Sequence, residues 1–253
     1  MNRDLLRQSA NVAALLLTLV MNALASLLPL AGRTTGEVSD RFPVLFVPAG
    51  YVFSIWGLIY LGLIAFAIYQ ALPAQRDNPR LRRIGYLFVA SCLFNSLWLV
   101  AWHNLQITLS LLLMVGLLLS LIALYLRLQP SDSAPVIERW TIDGPFSLYL
   151  GWLTVATVAN TTVALYNAGW GGWGLPDALW GVITVIAALT IALLMLKRER
   201  NVVFVLVVVW ALIGIFVRQQ DTAVMAYVSL LAAALLLGAL ALPRFKTGYA
   251  RPR

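Results

Sequence analysis

The chain of 253 residues is 61% hydrophobic and only 11% charged, with a mean hydropathy of +0.86; an ordinary soluble domain carries about 25% charged residues. That balance excludes a soluble globular protein and points to an all-α integral membrane protein whose first partner is the lipid bilayer. The formal net charge of +8 does not imply a nucleic-acid partner: with the hydrophobic runs alternated across a membrane, every Lys and Arg except Arg33, Arg41 and Arg218 falls on one side, and such a bias reports topology.

A helix rises about 1.5 Å per residue and the hydrocarbon core is about 30 Å thick, so about 20 apolar residues cross it. Eight such runs follow one another, over residues 11–30, 51–72, 84–102, 105–126, 146–166, 179–196, 202–217 and 222–242. An even number puts both termini on the Lys/Arg-rich, cytoplasmic side. The start, "MNRDLLRQ" and an apolar run ending near "ALAS", has the outline of a secretory signal. The run exceeds the about 7 to 15 residues of such a segment, and it is read as a retained first helix.

The first run carries Asn22 and Ser26. The connection after it, "AGRTTGEVSDRFPVLFVPAG", mixes turn residues with an apolar piece and is expected to fold over the bundle mouth as a lid. In the second run Phe53, Trp56 and Tyr60 recur at helical spacing. In the third, Asn95, Trp98 and Trp102 share one face. The short turn "WHNL" makes the third and fourth runs an antiparallel hairpin. His103, the sole histidine, is read there as an interfacial residue. With no second His and no nearby Cys, no protein-built transition-metal site is expected. Cys92 reads as a small buried residue.

The fifth run, "SLYLGWLTVATVANTTVALYN", sets Tyr149, Trp152, Ala156, Asn160 and Val163 on one stripe. An amide in hydrocarbon without partners costs several kcal/mol, so this stripe should face other helices or a polar ligand, leaving the opposite face to lipid. The last three runs are nearly pure Val, Leu, Ile and Ala. Trp170 and Trp173 precede them at an interfacial aromatic belt. All acidic residues are assigned to loops or the N-terminus, which argues against a proton relay. No Ser, His and acid constellation and no glycine-rich phosphate loop can be assembled, so no catalytic residue is assigned.

Three helices thus aim aromatic faces and amides inward, an arrangement suited to a flat, mainly apolar ligand with some polar edges. The same residue types also serve as glue between membrane helices, at about 1 kcal/mol or less per bond. The residues alone leave both roles open.

At "YLGWLTVATVAN" in the fifth run, "FNSLW" in the third and "PAGYVFSIWGLIY" in the second, the chain resembles the TspO/translocator protein family of tryptophan-rich sensory proteins. The likeness covers residues 1–168, with 169–253 forming a three-helix membrane extension. It departs at Ser54 and Ile55, where the family has a proline before the tryptophan, and at Tyr51, where a tryptophan is expected. It departs again after Tyr166, where the family's sterol motif needs a basic residue; "LIALYLR" fits that loose pattern elsewhere.

The resemblance implies a five-helix bundle in a bacterial plasma membrane that holds a porphyrin, another haem-like tetrapyrrole or, less well, a sterol in a pocket closed by the first loop. It requires no cofactor, and it leaves open a homodimer and light-dependent porphyrin breakdown. Carried over by position, the ligand-binding residues are Trp56, Tyr60, Asn95, Trp98, Trp152, Ala156 and Asn160. The alternative is a transporter or permease for a small apolar solute, with the extra helices completing its path.

Overall fold

The computed structural model describes residues 3–27, 32–130 and 134–242, and among them the regular elements are all helical. Ser26 is described in its backbone only. Eight apolar helices dominate: α1 (Arg3–Leu27), α2 (Ile55–Ala71), α3 (Leu87–His103), α4 (Ile107–Leu128), α5 (Gly144–Asn167), α6 (Asp177–Glu199), α7 (Val202–Arg218) and α8 (Ala223–Ala241). Six stretches are long and apolar enough to cross a membrane. The other two, α3 and α7, have 17 residues each, at the lower limit of about 17.

Two helical stretches start well before their hydrophobic runs. α1 begins at Arg3 because its polar first turns find backbone partners at and just beyond the end of α2: Arg7 Nη2 donates to the Arg76 carbonyl at 3.2 Å and Gln8 Nε2 to the Gln70 carbonyl at 2.6 Å. α5 is continuous with a π-helical turn, Arg139–Asp143, and a short stretch before it, Val136–Glu138.

Glu138 and Asp143, assigned from the sequence to a loop, are therefore buried on the fifth helix. The wide π turn brings residues five apart onto one face, and there both acids meet Arg80 from the short helix Pro79–Ile84. Arg80 bonds Glu138, and its Nη2 reaches Asp143 Oδ1 at 2.6 Å. Asn78 and Tyr69 complete the Glu138 shell, donating to its Oε1 at 2.8 Å and 3.3 Å. Burying two acids beside a membrane is tolerable because their partner is a guanidinium with further hydrogen bonds.

The first five helices close a ring in which α1 packs on α2 and α3, α3 on α4, α4 on α5, and α5 back on α2. Polar side chains join them inside. Asn22 of α1 donates to Asn95 Oδ1 at 2.9 Å, and Asn95 donates to the Tyr149 hydroxyl at 3.2 Å. Toward the Arg80 end, Phe66, Phe88 and Phe146 pack edge to face with centroids 4.8 to 5.8 Å apart.

The last three helices pack on one another, and α7 lies along α5. The α5 face opposite the Trp152–Asn160 stripe was expected to meet lipid; α7 covers it instead. Small residues allow this approach: a Cβ on Gly151 would sit 3.1 Å from Val207 Cβ and 3.2 Å from the Phe204 carbonyl oxygen. Asn201, fully buried, pins the start of α7. Its amide donates to Tyr125 of α4 at 3.0 Å and Ser147 of α5 at 2.8 Å, while its Oδ1 caps the helix on the Phe204 N–H.

Candidate functional site

The site begins where the lid meets α2. Pro48 and Ala49 hold the chain extended into a 3₁₀ turn, Gly50–Ser54, that runs directly into α2. This entry turns Phe53 and Trp56 toward the interior of the ring. Trp56 is the hub of an aromatic cluster that spans three helices. It stacks on Tyr60 at 5.5 Å between centroids and on Trp98 of α3 at 6.3 Å. It also meets Tyr149 and Trp152 of α5 edge to face at 5.9 and 6.3 Å. Trp98 continues the stack to Trp102 at 6.0 Å, and Phe53 packs against Trp152 at 5.8 Å.

A cavity of about 40 Å³ lies between these rings. Trp56, Trp98, Trp102 and Trp152 form its walls with Ala156, Asn160 and Val163 of α5 and Met114 of α4, and Thr35, Ser39, Val47 and Pro48 roof it. The roof is the segment between α1 and α2. Its short helix, Thr35–Ser39, is fixed by a reciprocal cap in which the Thr34 N–H donates to Glu37 Oε2 at 2.7 Å and the Glu37 N–H to Thr34 Oγ at 3.3 Å. The Thr34 backbone N–H and its hydroxyl hold the Glu37 carboxyl below its usual pKa. Trp102 Nε1 donates to the Thr35 carbonyl at 3.1 Å, tying the roof to the wall.

The polar content of the cavity is unbalanced. The Nε1–H groups of Trp98 and Trp152 are buried and have no protein acceptor. Asn160, 3% exposed, touches protein at one end of its amide: the Ser110 hydroxyl reaches both the Ile107 carbonyl at 2.8 Å and Asn160 Oδ1 at 3.3 Å. The Asn160 Nδ2 end has no partner. Most buried polar groups in folded proteins are hydrogen-bonded, so three unsatisfied groups around one cavity mark it as a place where polar atoms can be received.

Of the residues singled out from the sequence, Trp56, Trp98, Trp152, Ala156 and Asn160 line this cavity. Tyr60 stands behind Trp56, its buried hydroxyl without a protein partner. Asn95 is elsewhere, held between Asn22 and Tyr149 and absent from the lining. His103, read as interfacial, is instead fully buried, its Nδ1 2.8 Å from the Leu99 carbonyl. Ser110 and Met114 were not assigned to the site because α4 gives no distinctive pattern. The roof helix did leave a signal, since Thr34 and Glu37 have the spacing of a capping box.

Apolar helices, six of them long enough among the described residues to cross a membrane, define a helical integral membrane protein whose first five helices enclose an aromatic-walled cavity. The chain belongs to the TSPO-like protein family, whose model matches residues 8–242 and so reaches from α1 through α8. No match is found among curated proteins or among solved structures.

Proposed function

We propose that this protein binds a flat hydrophobic molecule, a porphyrin or related tetrapyrrole, between Trp56, Trp98 and Trp152, with Asn160 and the two free indole N–H groups meeting acceptor atoms on its polar edge. The observation that supports this most is the conjunction of three indoles with three unsatisfied polar groups around one cavity. Apolar rings suit a π-face, and buried donors favour a ligand carrying carboxylate or carbonyl oxygens.

The cavity of about 40 Å³ is far smaller than the roughly 300 to 1,000 Å³ of a typical ligand site. Binding on this reading requires the roof to move, and the structure described is the closed form. Residues 1–168 then constitute the binding bundle, and the described helices of the 169–253 extension, α6 to α8, buttress it. The Lys/Arg-rich end faces the cytoplasm of a bacterial cell. A sterol fits less well, because Tyr125 of the "LIALYLR" segment is buried beneath Asn201 instead of facing lipid.

Titration of the purified protein with protoporphyrin, followed by tryptophan fluorescence, tests the reading. Saturable quenching is expected in the unmodified protein. It should be strongly weakened in a Trp152→Phe, Asn160→Leu double variant, and quenching unchanged in that variant rejects the site.

A further inference from the structure

Away from the aromatic cavity, a groove of about 430 Å³ runs along the outer surface between α1 and α2. Its lining is apolar throughout, with Leu16 and Leu19 on one side and Ile64, Ile68 and Ala71 on the other, closed at the basic end by Leu72 and Pro73. The alanines of α2 open it: at Ala67 and Ala71 the helix presents only a methyl group. Two of its residues, Leu16 and Ile68, are more than half exposed. Such a surface accepts an acyl chain but does not by itself choose one lipid over another.

The choice comes from the charges just beyond Pro73. Arg7 of α1 and Arg76 of the α2–α3 connection meet there, Arg7 Nη2 donating to the Arg76 carbonyl at 3.2 Å. Arg7 is only 4% exposed, yet its Nε and Nη1 have no protein acceptor, and neither does the buried Nε of Arg76. The nearby carboxylates do not satisfy them. Asp4 approaches Arg7 no nearer than 3.6 Å and is bonded through both oxygens by Arg82, which also takes Asp77. Three guanidiniums therefore face two acids, with N–H groups left over in a buried place. Buried guanidinium N–H groups without acceptors are costly, and an anion with several acceptor oxygens removes that cost.

We propose that groove and cluster together form a site for an anionic phospholipid, its acyl chain lying between α1 and α2 and its phosphodiester against Arg7 and Arg76. The two parts are contiguous, since Pro73 lines the groove and Arg76 follows three residues later. Basic pockets between membrane helices at the cytoplasmic side are a known way of holding anionic headgroups. This site is independent of the aromatic cavity and of what binds there.

Native mass spectrometry of the full chain, released from detergent containing equal phosphatidylglycerol and phosphatidylcholine, tests it. Preferential retention of one phosphatidylglycerol is expected. Arg76→Gln should lower that retention about fivefold, the worth of one basic residue against an anionic headgroup. Ala71→Trp, which fills the groove from an exposed position, should lower it without touching the charges.

Arg7→Gln is less suitable, because it also removes the bond that docks α1 on the Arg76 carbonyl; Arg76→Gln keeps that carbonyl. Equal retention of both lipids overturns the proposal, as does phosphatidylglycerol retention that neither variant changes. Displacement by glycerol phosphate alone, as effective in Ala71→Trp as in the unmodified protein, would mean a free-phosphate site and would also overturn it.

Discussion

A Cβ placed on Gly214 of α7 would lie 2.2 Å from Val52 Cγ2 and 3.0 Å from Pro48 Cβ, so the roof of the cavity rests directly on a helix of the C-terminal extension. The contact is one of several. The Ala49 N–H donates to the Gly214 carbonyl at 3.0 Å, Trp210 Nε1 to the Val52 carbonyl at 3.2 Å, and Gln219 Nε2 to the Leu45 carbonyl at 3.0 Å. Arg218 bonds Asp40 beside them. Both ends of α7 thus serve the bundle: Asn201 anchors it to α4 and α5, and residues 210–219 hold the lid.

Gly214→Ala should therefore act on the lid. Neither Val52, β-branched and fully buried, nor the Pro48 ring can fold aside, so the 3₁₀ turn must shift. Overpacking of this kind costs about 1–3 kcal/mol. A lower melting temperature is expected, together with faster ligand exchange and greater access of a soluble quencher to Trp56 and Trp98. Unchanged stability and quencher access would mean that the roof is not seated on α7.

The two asparagines of the predicted site should separate cleanly. Asn95→Leu removes two bonds between helices, each worth about 0.6 kcal/mol in membrane proteins, and leaves the buried Tyr149 hydroxyl without its donor. A loss of about 1–3 kcal/mol in stability is expected. Asn160→Leu removes one long bond, worth about 0.6 kcal/mol, but also an unpartnered buried amide end whose burial is itself costly, so the two offset and stability should change little. Its porphyrin affinity should fall about tenfold, one charge-assisted hydrogen bond's worth. Thermal unfolding and the fluorescence titration, run on both variants, check the contrast.

That contrast also shows how far the sequence could be read. Hydrophobic runs fixed the number of helices because lipid thickness leaves little choice of length, and 3.6-residue spacing placed Trp56, Trp98 and Trp152 on inward faces. What spacing cannot reveal is the partner across the interface. Asn95 and Asn160 sit in similar local patterns, yet one meets Asn22 and Tyr149 and the other a cavity. The role of α7 was invisible for the same reason, since Gly214 and Val52 are far apart in the chain. Glu138 and Asp143 were misplaced because their burial depends on Arg80, on another element.

Arg80→Met should be the most damaging single change at the basic end. Although burial disfavours its charge, Asp143 and Glu138 hold the Arg80 guanidinium above its usual pKa. Its removal leaves two carboxylates, both under 10% exposed in their side chains, without the cation that bonds them both. Breaking such a buried group by deleting one partner costs about 3–5 kcal/mol. The replacement of all three residues by apolar side chains should recover much of the loss in thermal unfolding. If Arg80→Met alone is harmless, the cluster has no structural role.

The roof helix should loosen in acid. The ionised Glu37 carboxylate accepts the Thr34 N–H at 2.7 Å, and that bond together with the Thr34 hydroxyl keeps its pKa below the ordinary value, against the smaller opposing effects of desolvation and the Asp40 charge. A depressed folded-state pKa means that the stabilisation is fully present above the unfolded value, about 4.3, and is lost as pH falls through the folded one. Protonation removes the better acceptor, and the cap that shapes Thr35–Ser39 opens. Thr35 and Ser39 then leave the cavity roof unless Trp102 Nε1 alone can hold them. Amide exchange across residues 35–39 should lose protection only as the pH falls below the ordinary Glu value of about 4.3 in the unmodified protein. Glu37→Gln keeps a neutral acceptor at the same place and should show no such transition, so an identical acid transition in both proteins would put the sensitive group elsewhere.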